Sequence, residues 1–218
     1  MTEAAGGDPH RLDGSVRRRE EGEPVEWIVG WAPFCGIRVG LRPGVFVPRA
    51  QTEVLARAAA ALVGPGSVAV DLATGSGAIG LVLLAAGADV SATELDPTAV
   101  GCARANGLTV HQGDLDAPLP ADLEGRADVL TANVPYVPTA ALPRLPRDVL
   151  THEPRLALDG GADGLDVVRR VLAVAPRWLR RGGSVLVEVG PDQAGAAPAG
   201  ARLHRDAEGD VRCLELRV

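Results

Sequence analysis

From Ser67 onward the chain repeats one unit: a short run of β-branched and small apolar residues, a turn, then a stretch with helical spacing. Strands are expected at Ser67–Leu72, Asp89–Thr93, Leu108–Gln112, Asp128–Ala132 and Ser184–Val189, and helices at Ala78–Ala86, Pro97–Asn106 and Gly164–Arg180. Such alternation yields an α/β fold, a mostly parallel sheet with helices on both faces, because each helical crossover returns the next strand beside its predecessor. The tail breaks the rule. Ala201–Arg205 and Val211–Val218, around Ala207-Glu208-Gly209-Asp210, read as an antiparallel hairpin closing the sheet.

Upstream, Trp31–Val47 alternates Phe34, Ile37, Val39, Leu41, Val45 and Val47 with breaks such as Arg42-Pro43-Gly44, which suggests short paired strands. An Ala/Leu-rich helix is expected over Thr52–Val63. Proline is concentrated between Pro118 and Pro154, so that stretch is expected to hold irregular surface structure suited to a substrate-facing loop. Residues 1–22 are rich in Gly, Asp, Glu and Arg, and the run Arg17-Arg18-Arg19-Glu20-Glu21 favours a solvated helix or mobile tail.

Composition narrows the function classes. With 46% hydrophobic and 23% charged residues, 218 residues suffice for one full domain and a short appendage. The longest apolar stretch, Ile79–Ala88, is too short to cross a bilayer, and Met1–Asp8 lacks the regions of a signal peptide, so a cytoplasmic location is expected. All 22 basic residues are arginine, yet the net charge is -6, which argues against duplex DNA as a partner because holding phosphate backbone requires a basic face. Cys35, Cys102 and Cys213 are far apart and form no CxxC pair, so no metal site is expected.

Candidate chemistry sits where strands end. Val68–Gly80 reads as a strand, a glycine-rich turn (Ala73, Thr74, Gly75, Ser76, Gly77) and a helix start, where free N–H groups and absent side chains let a ligand approach the backbone. A GxGxxG turn alone would equally suit a dinucleotide. Asp71 discriminates: a carboxylate at this strand end repels a pyrophosphate and attracts an ammonium, which favours S-adenosyl-L-methionine. Glu94, with Leu95 behind it, ends the second strand, where a carboxylate can accept from ribose hydroxyls. Asp114, with Leu115, comes after the third, within reach of an adenine amino group. A loop residue or helix cap is the ordinary reading of one such acid; three at successive strand ends make a cofactor site the better one.

After the fourth strand comes Asn133-Val134-Pro135-Tyr136. It resembles the [DNS]PP[YFW] motif of methyltransferases acting on amino nitrogens conjugated to a π-system. The Asn133 side-chain oxygen and the Val134 carbonyl can accept the two hydrogens of an NH2 group and aim its nitrogen, Pro135 stiffens the loop, and the Tyr136 ring can pack on a flat acceptor; Asn133 is expected at the cofactor as well. In isolation these residues would be a proline turn; their place one strand beyond the cofactor acids favours catalysis.

With Gly22–Gly30, Phe46–Glu53, the glycine turn, the tetrapeptide, His152-Glu153-Pro154-Arg155 and Asp163-Gly164-Leu165, the chain resembles the HemK/PrmC family of protein N5-glutamine methyltransferases. The likeness implies a class I methyltransferase sheet of Rossmann type, a methyltransferase domain over residues 51–218, a hairpin lead-in over 23–50, and a glutamine acceptor in a protein such as a class I peptide-chain release factor. It places Phe46–Glu53 beside the cofactor, and Glu153 and Pro154 at the substrate. This chain departs from the family pattern in three respects: NVPY replaces NPPY, Ala50-Gln51 replaces the Pro-Asp of PRPDTE, and about twenty residues precede Gly22 where the family carries a helical domain. Two other readings stay open: a small-molecule or short-peptide methyltransferase using the same pocket, and a cofactor-binding protein without catalysis.

Overall fold

The computed structural model describes residues 9–218, so the first eight residues of the expected mobile start lie outside the described residues. A helix, α1 (Pro9–Glu20), comes next, and then a short α2 (Val25–Val29). The strands β1 (Trp31–Phe34) and β2 (Ile37–Gly40) form a separate antiparallel hairpin turned at Cys35 and Gly36. The expected strand pattern stops there. Val45 and Val47 are buried, but their segment is irregular and is held partly by the Trp27 indole N–H, which donates to the Val45 carbonyl at 2.9 Å. The helix expected from Thr52 is α3 (Glu53–Ala60), preceded by a 3-10 turn at Ala50–Thr52.

The main sheet is built from β3 (Val68–Leu72), α4 (Ala78–Ala85), β4 (Asp89–Glu94), α5 (Pro97–Ala105), β5 (Thr109–Gln112) and β6 (Ala127–Ala132), followed by a short α6 (Arg147–His152), α7 (Asp166–Trp178), β7 (Leu179–Glu188), β8 (Arg202–Arg205) and β9 (Val211–Arg217). The strand order is β5-β4-β3-β6-β7-β9-β8. Pairings from β5 to β7 are parallel, and the β7/β9 and β8/β9 pairs are antiparallel, as the tail pattern implied. The chain order reverses at β3, whose neighbours are β4 and β6. A crevice therefore opens at the carboxyl ends of those three strands, where doubly wound sheets bind ligands.

Each helix shows why it forms where it does. In α7 the buried positions Val168, Val171, Ala175 and Trp178 fall on one helical stripe, which packs against the β6 and β7 side of the sheet. At the start of α5 the Asp96 side chain accepts from the N–H groups of Thr98 and Ala99, while Pro97 fills the position whose N–H would be unused anyway. Leu83 of α4 is fully buried against α3 and β4; burial of such a side chain contributes about 1.5–3 kcal/mol. Between β6 and α7 the proline-rich stretch is only partly irregular: it holds a 3-10 segment at Thr139–Arg144 and α6, and Val137 bridges to Asp159.

Candidate active site

A cavity of about 310 Å³ occupies the crevice at the carboxyl ends of β3, β4 and β6, a size suited to a small-molecule ligand. Ala73, Thr74 and Gly75 from the turn after β3 line it, as do Glu94 and Leu95 after β4, and Asp114 and Leu115 after β5. The whole tetrapeptide Asn133–Tyr136 lines it from β6, joined by Phe46, Pro48 and Thr52 from the lead-in. Residues from five separate stretches thus meet on one space.

The glycine turn is shaped by backbone that other residues adopt reluctantly. Gly75 has φ +58°, and a Cβ built there would meet no protein atom within 4 Å, so it would project into open space at the cavity wall. Gly77 serves packing instead. It is not part of the cavity lining, it caps α4 at φ +88°, and a Cβ there would stand 2.6 Å from Leu108 Cδ1. Ala73 (φ +54°) and Leu115 (φ +45°) hold left-handed conformations at the cavity, a strain of the kind that concentrates at binding sites.

The three acids expected at the cofactor prove unalike. Glu94 is buried with its carboxylate clamped by backbone: Oε2 accepts from the Gly75 N–H at 2.8 Å, and Oε1 from the N–H groups of Leu95 and Asp96 at 2.8 and 2.9 Å. A carboxylate has about four acceptor positions, so Oε2 retains one for a ligand hydroxyl. Asp114 lines the cavity on the surface, where it pairs with Arg170 at 2.7 Å. Asp71 differs from expectation. It is fully buried, absent from the cavity lining, and occupied by the Thr74 and Thr131 hydroxyls and the Gly80 N–H. Burial raises its pKa to about 6 against those hydrogen bonds. Its geometry is that of a brace for the glycine turn, rather than of an ammonium ligand.

On the acceptor side, the Asn133 Nδ2 lies 3.4 Å from the Thr52 hydroxyl oxygen. Val134, where the family pattern has proline, is buried in the apolar cluster that includes Leu72 and Leu115. The Tyr136 hydroxyl donates to Glu188 at 3.1 Å and accepts from Gln51 Nε2 at 2.7 Å; burial and the facing Glu188 raise its pKa, so it stays protonated. The expected pair Glu153 and Pro154 is split. Pro154 lines the large cavity, whereas Glu153 turns away, pairs with Arg49 and borders a smaller polar cavity with Arg19, Glu26 and Asp148. Burial raises the Glu153 pKa in spite of Arg49. Local pattern does not mark Gln51, Thr52 and Glu188 as one group; besides the departure at Gln51, the one signal in the chain is the lone carboxylate Glu188 in the apolar run Val185–Val189.

Electrostatics select the kind of ligand that fits. Glu94, Asp96, Asp114 and Asp159 line the cavity against a single arginine, Arg170. A surface of that sign attracts a sulfonium and an ammonium and repels a pyrophosphate. The clamped Glu94, the open face at Gly75 and the apolar walls of Ile79, Leu95 and Leu115 fit the ribose and adenine of S-adenosyl-L-methionine. Among the described residues no cluster of His, Cys, Asp and Glu could hold a metal, and no helix is long and apolar enough to cross a membrane. Replacing Glu94 by alanine is expected to weaken S-adenosyl-L-methionine binding by about 1–3 kcal/mol, measured by isothermal titration, because ligand hydroxyls lose their acceptor and three backbone N–H groups lose theirs. Unchanged affinity would remove Glu94 from the site.

The sheet order and this crevice define a class I S-adenosyl-L-methionine-dependent methyltransferase. The fold is shared with the Thermus thermophilus 16S rRNA N2 G1207 methyltransferase, solved with AdoMet and guanosine: TM-score 0.57 at 23% identity, over 86% of this chain and 44% of that one. A release factor glutamine methyltransferase of Moorella thermoacetica is 41% identical over 200 residues, covering 86% of this chain and 69% of the relative. The chain belongs to the HemK/PrmC family of release factor glutamine methyltransferases. A further relative is the 4-amino-L-phenylalanine/4-methylamino-L-phenylalanine methyltransferase of Streptomyces pristinaespiralis, 40% identical over 208 residues, covering 89% of this chain and 70% of the relative. The chain spans about two thirds of the length of the curated relatives it matches. No family model matches it.

Proposed function

We propose that this protein transfers a methyl group to a nitrogen conjugated to a π-system, and that the acceptor is a glutamine side chain of a protein such as a release factor. The observation that carries the reading is the convergence of Asn133–Tyr136 on the cavity walled by Glu94 and the glycine turn. S-adenosyl-L-methionine, when bound, supplies an electrophilic methyl group. Glu94 and the turn would hold it through ribose hydroxyls and close backbone contact, with Asp71 keeping the turn in shape. The Asn133 Oδ1 and the Val134 carbonyl would accept the acceptor's two N–H hydrogens, directing the nitrogen lone pair at the methyl carbon. Tyr136 and Pro154 would flank the acceptor group, and the buried apolar surroundings of Val134 exclude water.

A second reading is favoured by one relative. The Streptomyces pristinaespiralis enzyme is named for an aromatic amine, which likewise presents an NH2 group conjugated to a π-system, and it is about as similar to this chain as the glutamine methyltransferases are. Both acceptors suit the same two hydrogen-bond acceptors. Incubating the enzyme and tritiated-methyl cofactor with a purified release factor, and separately with 4-amino-L-phenylalanine, distinguishes them. The expected result is one added methyl group on the release-factor peptide that carries the acceptor glutamine, located by mass spectrometry. Label confined to the amino acid would replace the protein acceptor with the small molecule.

A further inference from the structure

Behind the tetrapeptide, at the last residue of β7, lies a carboxyl group that no step above uses. Glu188 is 1% exposed, and its Oε1 stands 3.1 Å from the Tyr136 hydroxyl and 3.3 Å from Gln51 Nε2. Gln51 Nε2 also reaches the Tyr136 oxygen at 2.7 Å, so the three side chains close a triangle. Tyr136 lines the large cavity, whereas Gln51 and Glu188 do not, so the phenol oxygen is bonded on the protein side of the cavity wall. The residue is anchored at its other end too. Its backbone carbonyl accepts from Gln193 Nε2 at 2.9 Å, and a Cβ at Gly160 would stand 2.8 Å from its Cα.

The directions of these bonds follow from the groups themselves. A carboxamide nitrogen can only donate, so Gln51 Nε2 gives one hydrogen to the Tyr136 oxygen and one to Glu188 Oε1. Turning that carboxamide over would set its oxygen against the Glu188 carboxyl group, which electrostatics disfavours. Oε1 is then an acceptor, and the phenol has one hydrogen to give it. The Tyr136 hydroxyl thus has its hydrogen and one of its two lone pairs engaged within the protein. An aspartate at position 51, as in the family pattern, has no hydrogen to give to either oxygen.

We infer that Gln51 and Glu188 are positioning residues for Tyr136: they hold its hydroxyl on the protein side of the wall and so keep the ring as a fixed face of the acceptor pocket. The inference rests on the acceptor-side role proposed above for Tyr136. A ring fastened only at its Cβ can turn about two side-chain bonds, and hydrogen bonds at its far end stop that motion. A displaced ring misplaces the acceptor nitrogen, which lowers the rate of transfer without touching the groups that hold the cofactor. What the tether requires of position 188 is a hydrogen-bond acceptor, and a neutral one suffices.

The test compares Glu188→Gln, Glu188→Leu, Gln51→Glu and the exchange variant Gln51→Glu/Glu188→Gln. Glu188→Gln keeps an oxygen for the phenol and is expected to lower kcat less than about fivefold, whereas Glu188→Leu removes the acceptor and is expected to lower it about 50-fold, both with cofactor Kd within about threefold. Gln51→Glu sets one carboxylate against another and leaves the phenol oxygen without its donor, so a loss of about 50-fold is expected there too. The exchange variant restores one carboxylate and one carboxamide to the triangle. It is expected to recover kcat to within about tenfold of the parent. Equal losses in Glu188→Gln and Glu188→Leu, or an exchange variant slower than Gln51→Glu, would overturn the inference.

A readout free of acceptor is available because Tyr136 is the one tyrosine in the sequence. Protein grown on tyrosine labelled with 13C at Cζ gives a single resonance, on which donating the phenol hydrogen and receiving a hydrogen at the oxygen act in opposite directions. The resonance is expected to move upfield in Glu188→Leu, which removes the acceptor, and downfield in Gln51→Met, which removes the donor. A resonance that stays in place, or moves the same way in both, would overturn the tether whatever the activities. If Glu188→Leu does not fold, Gln51→Met and the exchange variant decide the same question. If the parent methylates no amide or amine at all, the proposed function fails while the opposed shifts still establish how Tyr136 is held.

Discussion

Replacing Asn133 by alanine is expected to slow methyl transfer roughly 100- to 1,000-fold while leaving S-adenosyl-L-methionine affinity within about twofold, since the role proposed for the residue is to orient the acceptor. An amide nitrogen is a poor nucleophile because its lone pair is delocalised into the carbonyl, so orientation accounts for much of the rate. Asn133 stands at the end of β6, with Nδ2 toward Thr52 and its remaining polar atom available to the cavity it lines. Alanine removes an acceptor without disturbing Glu94 or the glycine turn, which belong to other strands. Single-turnover rates and titration calorimetry on the same preparation separate the two effects. A fully active Asn133→Ala enzyme would sink the proposed use of this side chain, and equal losses in rate and cofactor affinity would relocate it to the cofactor.

Asp71 carries the second large effect, and it falls on stability. Its carboxylate receives the Thr74 and Thr131 hydroxyls and the Gly80 N–H in a fully buried position, so Asp71→Ala leaves three donors unpaired and is expected to cost about 3 kcal/mol or more. The pH dependence has a definite sign. The folded pKa, about 6, lies above the ordinary 3.8, so the folded state holds the proton more tightly than the unfolded chain. The stability this group contributes is fully present below about 3.8 and is lost as the pH rises through about 6. The span is on the order of 3 kcal/mol.

Asp71→Asn carries no charge at any pH, so its stability relative to the parent should improve between pH 4 and pH 7.5, by roughly that amount. Urea unfolding of both proteins at the two pH values measures it, and subtraction removes the other carboxylates. Parallel stability profiles would mean that Asp71 is not desolvated as described. The same variant also tests the brace. An indirect effect through the turn should weaken cofactor binding by less than about tenfold, whereas a buried contact to the ligand ammonium would cost far more.

Much of this molecule was legible along the chain because its information is local. The β3–β7 pattern, the crossover helices and the closing hairpin arise from periodicity and turn residues, which depend on neighbours a few positions away. The glycine turn and the acids at successive strand ends were legible for the same reason: a parallel sheet brings every strand end to one edge, so sequence position after a strand translates directly into place at the crevice. That reasoning specifies which end of a strand a residue occupies. It does not specify which way its side chain points or what it meets.

Those matters rest on contacts between distant residues, and there the tertiary structure decided. Asp71 points inward because Thr131, 60 positions away on the neighbouring strand, offers its hydroxyl there. Asp114 is drawn to Arg170 on α7, and Glu153 to Arg49, across 56 and 104 positions. Gln51, Tyr136 and Glu188 meet across 85, 137 and 52 positions, so nothing local marks them as one group. The sequence by itself determined the sheet, its ligand-binding edge and the residues gathered there; the division of those residues into ligand contacts, braces and positioning groups depends on desolvation and hydrogen-bond partners that exist only once the strands and the lead-in are packed together.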